Sequence, residues 1–115
     1  MDAGKRHKGR KHLIYLSEIH DRDNPSFTGH LVDISKSGLM MLSDDKIEIN
    51  RKFRIEIILP EETDGRDRIY CTAKSMWCKK DVNPDYYATG LEIQAVDTID
   101  EQLIEYMIYE YGLNN

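Results

Sequence analysis

Apolar residues first thicken beyond His12, where Leu13, Ile14, Tyr15, Leu16 and Ile19 predict a strand ending near His20. Asp21-Arg22-Asp23-Asn24-Pro25 is dense in turn formers, and Pro25 has no N–H to give to a ladder. Residues 27–34 read as a second strand, which makes the pair a hairpin. The polar run Asp33-Ile34-Ser35-Lys36-Ser37-Gly38 turns the chain again, and Leu39-Met40-Met41-Leu42 follows as a short third strand. The clearest alternation comes fourth: Phe53, Ile55, Ile57 and Leu59 share one face, with Pro60 expected to close the strand. Residues 61–68, with Gly65, read as a charged hairpin loop. A fifth strand over 69–78 puts Ile69, Cys71, Ala73, Ser75 and Trp77 on one face. Asn83-Pro84-Asp85 turns into a sixth strand over 86–96, interrupted at Gly90.

The last segment changes period. Thr98 and Glu101 have the spacing of a capping box, and Asp97 and Asp100 suit the positive end of a helix. Leu103, Ile104, Met107, Ile108 and Tyr111 recur at three- and four-residue spacing, predicting an amphipathic helix over about 98–111 that Gly112 stops. Six short strands and one terminal helix predict a small antiparallel barrel or sandwich covered by a helix.

Composition narrows the class. The 115 residues suit one compact domain; with 32% charged residues and no apolar run beyond four, membrane insertion is not expected. Lys5-Arg6-His7-Lys8 is followed by more charge, so no signal peptide is read. Two cysteines without a Cys-x-x-Cys exclude a disulfide scaffold or a four-thiolate zinc site, and a reducing cytoplasm is expected. Cys71 and Cys78, seven apart, should fall on opposite strand faces and not pair, with Cys71 a small buried hydrophobe. The net charge of −5 hides an asymmetry: residues 1–12 sum to +4, leaving −9 for the rest. A basic arm on an acidic body points to a negatively charged ligand, and argues against a broad nucleic-acid-binding face.

Catalysis finds little support. Ser17, His20 and Asp21 lie too close along one strand for a triad, and no Gly-x-Ser-x-Gly elbow exists. His7, His12, His20 and His30 lack metal-ligand spacing, so neither enzyme chemistry nor a metal or cofactor is expected. Trp77 could stack on a base, although a lone strand tryptophan more often packs at a core or rim. Tyr111 lies on the apolar helix stripe and should help close the barrel, while Tyr106 and Tyr109 could do so or meet a partner.

Two local patterns stand out, Arg6-x-x-x-Arg10 in the arm and Asp33-x-Ser35-x-x-Gly38 between two strands. At this composition chance would supply the first about 0.4 times, and the second, with Asp or Asn at its first position, about 0.05 times. Each has a bland reading, a solvated tail and ordinary turn chemistry with glycine at positive φ. Together they fit one ligand type. Arginine forks onto phosphate or onto guanine O6 and N7. Aspartate accepts from the donors of guanine's other edge, serine adds a hydroxyl, and glycine lets the backbone approach without a Cβ. A guanine-containing molecule with several phosphates would use the whole set.

In these motifs, and in the later Trp77 and Gly90-Leu91-Glu92-Ile93, the chain resembles the PilZ domain family, receptors for the bacterial second messenger cyclic di-GMP. The resemblance runs from Arg6 to about Tyr111 and implies an all-β fold, a six-stranded antiparallel β-barrel with a C-terminal helix. It further implies that Arg6 and Arg10 grip guanine and phosphate groups, Asp33 and Ser35 hold the base edge, and Gly38 shapes the turn. Lys5 is an additional ligand contact on the same grounds, a basic residue there going with a stacked messenger dimer in the family. The implied function is a non-catalytic cytoplasmic receptor that changes conformation and signals to a downstream protein, in motility, adhesion or polysaccharide secretion. Residues 1–11 are expected to form a flexible basic arm with no domain upstream, ordering across the 33–38 turn on binding, ahead of a single barrel domain over 12–115. The alternative is an adaptor of the same fold without a messenger, using a helix that carries Asp97, Asp100, Glu101, Glu105 and Glu110 at its start and along its length. Single-stranded nucleic acid is not expected, because outside the arm the chain sums to −9.

Overall fold

Period-two patterning buries one side of most of the strands, and a short sheet with one apolar face removes its edges by closing. The computed structural model describes residues 17–111. Its elements are β1 (Glu18–Asp21), β2 (Asn24–Ile34), β3 (Gly38–Ser43), β4 (Lys52–Thr63), β5 (Arg66–Lys80), β6 (Tyr87–Ala95) and α1 (Thr98–Tyr111). All pairings are antiparallel, and the strands close a barrel in the order β1-β2-β3-β6-β5-β4. The β1–β4 ladder, with Ile19 opposite Ile57, decides for a barrel over a sandwich. The arm expected over 1–11, the start of the first strand and Gly112 lie outside the described residues.

The alternation in β4 holds as read: Phe53, Ile55, Ile57 and Leu59 are buried in one core cluster with Ile19, Leu31, Met41 and Ile69. Two of the three prolines behave differently from expectation. Pro25 lies within β2, in a three-residue excess between the pairs Asp21↔Asn24 and His20↔Thr28. Pro60 does not close β4, which passes it in a bulge between Ile58↔Arg68 and Thr63↔Arg66. An unpaired bulge position asks for no N–H, so proline costs the ladder nothing there. The hairpin turn is therefore only Asp64-Gly65, with φ of 52° and 80°, the left-handed pair of a tight two-residue turn.

A third correction concerns β5. Its register slips between Ser75↔Leu91 and Trp77↔Gly90, so Met76 is an extra residue. Trp77 leaves the inner face, and Cys78 packs against the core on the side of Cys71, not opposite it. The two remain free thiols. Seven strand residues span roughly 20 Å, far beyond the reach of a disulfide. Burial, and then the charge of Asp100, pushes the Cys71 thiol up to about 12, which makes it inert.

The ends of the barrel are plugged differently. Residues 44–51 cross one end, where buried Ser75 donates its hydroxyl to Glu48 O at 2.7 Å and its N–H to Arg51 O at 2.9 Å. Helix α1 covers the other end with Leu103, Ile104 and Met107. Its N-cap is Asp97, not Thr98: the Asp97 carboxylate accepts the Asp100 N–H at 3.0 Å. That bond holds the Asp97 carboxyl below its usual range. Asp100 belongs to no solvated acidic face, being only 4% exposed. Its Oδ1 accepts from the Arg66 guanidinium and, at 3.1 Å, from Tyr70 N–H, latching the helix to β5. No helix among the described residues is long and apolar enough to cross a membrane.

Candidate functional site

The site grows from two bulges on strands that are not neighbours. In β2 the register slips between Leu31↔Met41 and Asp33↔Met40, leaving Val32 extra. Leu31 and Ile34 can then both enter the core while Asp33 stays half-buried at the outer surface. In β5 the extra Met76 sends Trp77 outward, and these two side chains are 45% and 40% exposed. Between β2 and β5 run β3 and β6. The pairings therefore line up one outer row, Asp33, Met40, Gly90 and Trp77, each opposite the next. At about 4.8 Å per strand the row spans roughly 14 Å. A second row beside it sets Gly38 opposite Glu92 and Glu92 opposite Lys74.

These rows border an open hollow of about 430 Å³, lined by Asp33, Ser35, Gly38, Met40, Trp77 and Glu92 among others. Two glycines keep it low. A Cβ on Gly90 would stand 2.3 Å from Trp77 Nε1, so the indole occupies the space a side chain would take. What reads along the chain as an interruption of β6 is the seat of the tryptophan. Gly38 is not a left-handed glycine; Asn50, Asp64 and Gly65 are the described residues with positive φ. A Cβ on Gly38 would come 2.5 Å from Leu91 O, so the close approach it permits is that of β3 to β6.

The Asp33–Gly38 motif is a stiff turn. Asp33 Oδ1 accepts the Ile34 N–H at 2.9 Å, and Gly38 O accepts the Ser35 N–H at 2.8 Å and the Ser35 hydroxyl at 3.3 Å. Ser37 O accepts Ile93 N–H at 2.8 Å, tying the turn to β6. The Lys36 ammonium lies 3.5 Å from Glu105, tying it to α1. Asp33 keeps one carboxylate oxygen clear of the turn's own bonding. At the far side the Lys79 ammonium sits 5.4 Å from the Trp77 ring centre. The hollow thus presents two carboxylates, Asp33 and Glu92, a hydroxyl and an apolar wall, with lysines nearby. That combination suits a planar base with N–H donors that carries anionic groups.

Of the residues singled out in the sequence, Asp33, Ser35 and Gly38 are brought together, while Lys5, Arg6 and Arg10 lie outside the described residues. Met40, Trp77 and Glu92 join them; unbroken alternation places Trp77 inward, and the extra residue Met76 that turns it outward leaves no local mark in the sequence. Ser17, His20 and Asp21 form no triad, since His20 Nε2 pairs with Glu18 at 2.8 Å and Asp21 accepts the Asp23 N–H.

The seat of the tryptophan is testable by itself. Gly90→Ala should displace the half-exposed indole and leave the barrel folded. The expected result is a red shift of tryptophan emission with an unchanged far-ultraviolet spectrum, at a stability cost of about 1–3 kcal/mol for the overpacked contact. An unmoved emission maximum would contradict the contact.

A family model described as "PilZ domain" matches residues 5–110. Among solved structures, the chain is similar to the Bacillus subtilis inhibitor of motility MotI/DgrA, at 23% identity and a TM-score of 0.63, covering 81% of this chain and 44% of that one. It is similar to YcgR from Escherichia coli in complex with c-di-GMP, at 14% identity and a TM-score of 0.61, covering 81% of this chain and 39% of that one. It is also similar to Borreliella burgdorferi PlzA in complex with c-di-GMP, at 10% identity and a TM-score of 0.57, covering 94% and 51%. At these identities the likeness establishes a shared fold, and the chain spans between 39% and 51% of each of those proteins. A search of curated proteins found no match.

Proposed function

Because the chain belongs to the PilZ domain family, we propose that it is a non-catalytic receptor for cyclic di-GMP, which binds on the outer face of the barrel and signals to a downstream protein. The observation that carries this reading is the row Asp33–Met40–Gly90–Trp77, which sets the Asp-x-Ser-x-x-Gly turn and a half-exposed indole at the two sides of one hollow. The clear oxygen of Asp33 accepts from the N–H edge of a guanine, Ser35 adds its hydroxyl, and Met40 and Trp77 supply apolar surface for the base. Arg6 and Arg10 close over from the arm, forking onto phosphate and onto the guanine O6 and N7 edge, with Lys5 as a further contact. Two solved proteins of this fold carry c-di-GMP in their structures, which supports the choice of ligand.

Signalling follows from the wiring of the turn. A phosphate that draws Lys36 toward it takes that ammonium from Glu105 of α1, so occupancy of the hollow alters the surface of the helix. The pair is exposed, with side chains 71% and 49% accessible, so this route carries about 1 kcal/mol at most, and ordering of the arm supplies the rest. On this reading the receptor works in the bacterial cytoplasm, where its messenger and partner meet.

Calorimetric titration with cyclic di-GMP tests the reading. A saturable heat is expected, weakened in Arg10→Ala with a flatter salt dependence, since phosphate contacts are lost. The stoichiometry reads whether Lys5 recruits a second, stacked messenger. No heat at tens of micromolar protein, or affinity unchanged in Arg10→Ala, would refute the reading and leave the adaptor alternative.

A further inference from the structure

The proposed messenger site makes no use of a second hollow, about 440 Å³, between the tip of the β4–β5 hairpin and α1. Its walls include Glu62, Asp64, Ile99, Gln102 and Tyr106. Positions 99, 102, 106 and 109 follow three- and four-residue spacing, so they form one stripe along the helix beside the buried one. On that stripe Ile99 is 60% and Tyr109 76% exposed, an apolar face of α1 that the barrel does not cover.

The electrostatics of this face point one way. Helix α1 has acidic residues in its first turn and no basic residue in its last, and no Lys or Arg stands between Thr98 and Tyr111. The cation lining the hollow, Arg66, is already engaged by Asp100 and by Arg68 O. Carboxylates from both elements converge on Tyr106: its phenol is raised above its usual value first by burial, then by Glu110, Glu61 and Asp64.

We propose that this face docks a cationic amphipathic segment of a partner protein, its aliphatic side on Ile99 and Tyr106 and its Lys or Arg side chains toward Glu62, Asp64 and Glu110. The chemistry selects against the other surfaces such a face could meet. Nucleic acid and anionic membrane carry the wrong sign, and a second copy packed face to face would oppose carboxylates to carboxylates. The surface stands on the fold and its charges, independently of the messenger.

The test is an NMR titration of the isotope-labelled full chain with a synthetic helical Leu/Lys peptide, against a Leu/Glu peptide of the same spacing. Saturable shifts confined to residues 61–66 and 99–110 are expected with the Leu/Lys peptide alone. Ile99→Ser, and separately Glu62→Lys with Glu110→Lys, should each weaken the peptide about tenfold at unchanged melting temperature, because Ile99 and Glu62 are exposed and a lysine in place of half-buried Glu110 suits the negative end of the helix. Absence of saturable shifts, shifts centred on the 33–38 turn, or equal binding of the Leu/Glu peptide would overturn the proposal. Shifts in the free protein that follow dilution would assign the face to a second copy. Shifts that follow replacement of Lys5, Arg6, Lys8, Arg10 and Lys11 by glutamine would assign it to the chain's own arm. Either result would overturn the proposal too.

Discussion

Asp33→Ala is expected to weaken cyclic di-GMP binding about a hundredfold while the barrel stays folded. A carboxylate that accepts the N–H edge of guanine makes charged hydrogen bonds of about 1.5–3 kcal/mol each, so the loss of one such bond is enough for the hundredfold, about 2.7 kcal/mol. Alanine also leaves the donors of the base facing an apolar methyl. Stability suffers less, because Asp33 is half-buried and its bond among the described residues is to the neighbouring Ile34 N–H at 2.9 Å. That bond is worth about 1 kcal/mol. Calorimetry and a thermal melt on the same sample separate the two effects. A variant that binds as the parent does would move the ligand away from this turn.

Asp100→Ala should cost about 2–3 kcal/mol of stability without touching the hollow under Trp77. The carboxylate is buried, and one of its oxygens accepts from both Arg66 and Tyr70 N–H, so alanine strands two donors at once. Arg66 is 32% exposed, and water recovers part of its loss, which keeps the expected figure below that of a fully buried ion pair. Urea denaturation reads the change. A loss under about 0.5 kcal/mol would mean that the latch is not what fixes α1 to β5.

Much of this was legible in the chain because it is local. The alternation of Phe53, Ile55, Ile57 and Leu59 names the buried face of β4 without reference to any partner strand. Asp33, Ser35 and Gly38 declare themselves by spacing within a six-residue turn. What escaped depends on pairing. The extra residues Val32 and Met76 break no composition rule, yet they turn Asp33 and Trp77 outward and bring them into one row. Pro25 and Pro60 looked like strand breakers, because nothing local shows that the position they occupy is unpaired. Asp97 displaced Thr98 as the cap although both are good caps, since tertiary packing set where the helix begins. The acidic helix face lost Asp100 for the same reason, its partners being thirty residues and more away in sequence.

Trp77 is the chain's one tryptophan and stands at the edge of the hollow. Its emission, followed through a titration with cyclic di-GMP, therefore tests the central claim most directly. The expected result is a saturable change in intensity or wavelength, with the same midpoint as the binding heat and absent in Asp33→Ala. Binding heat with no change in Trp77 emission would place the messenger somewhere other than this face of the barrel.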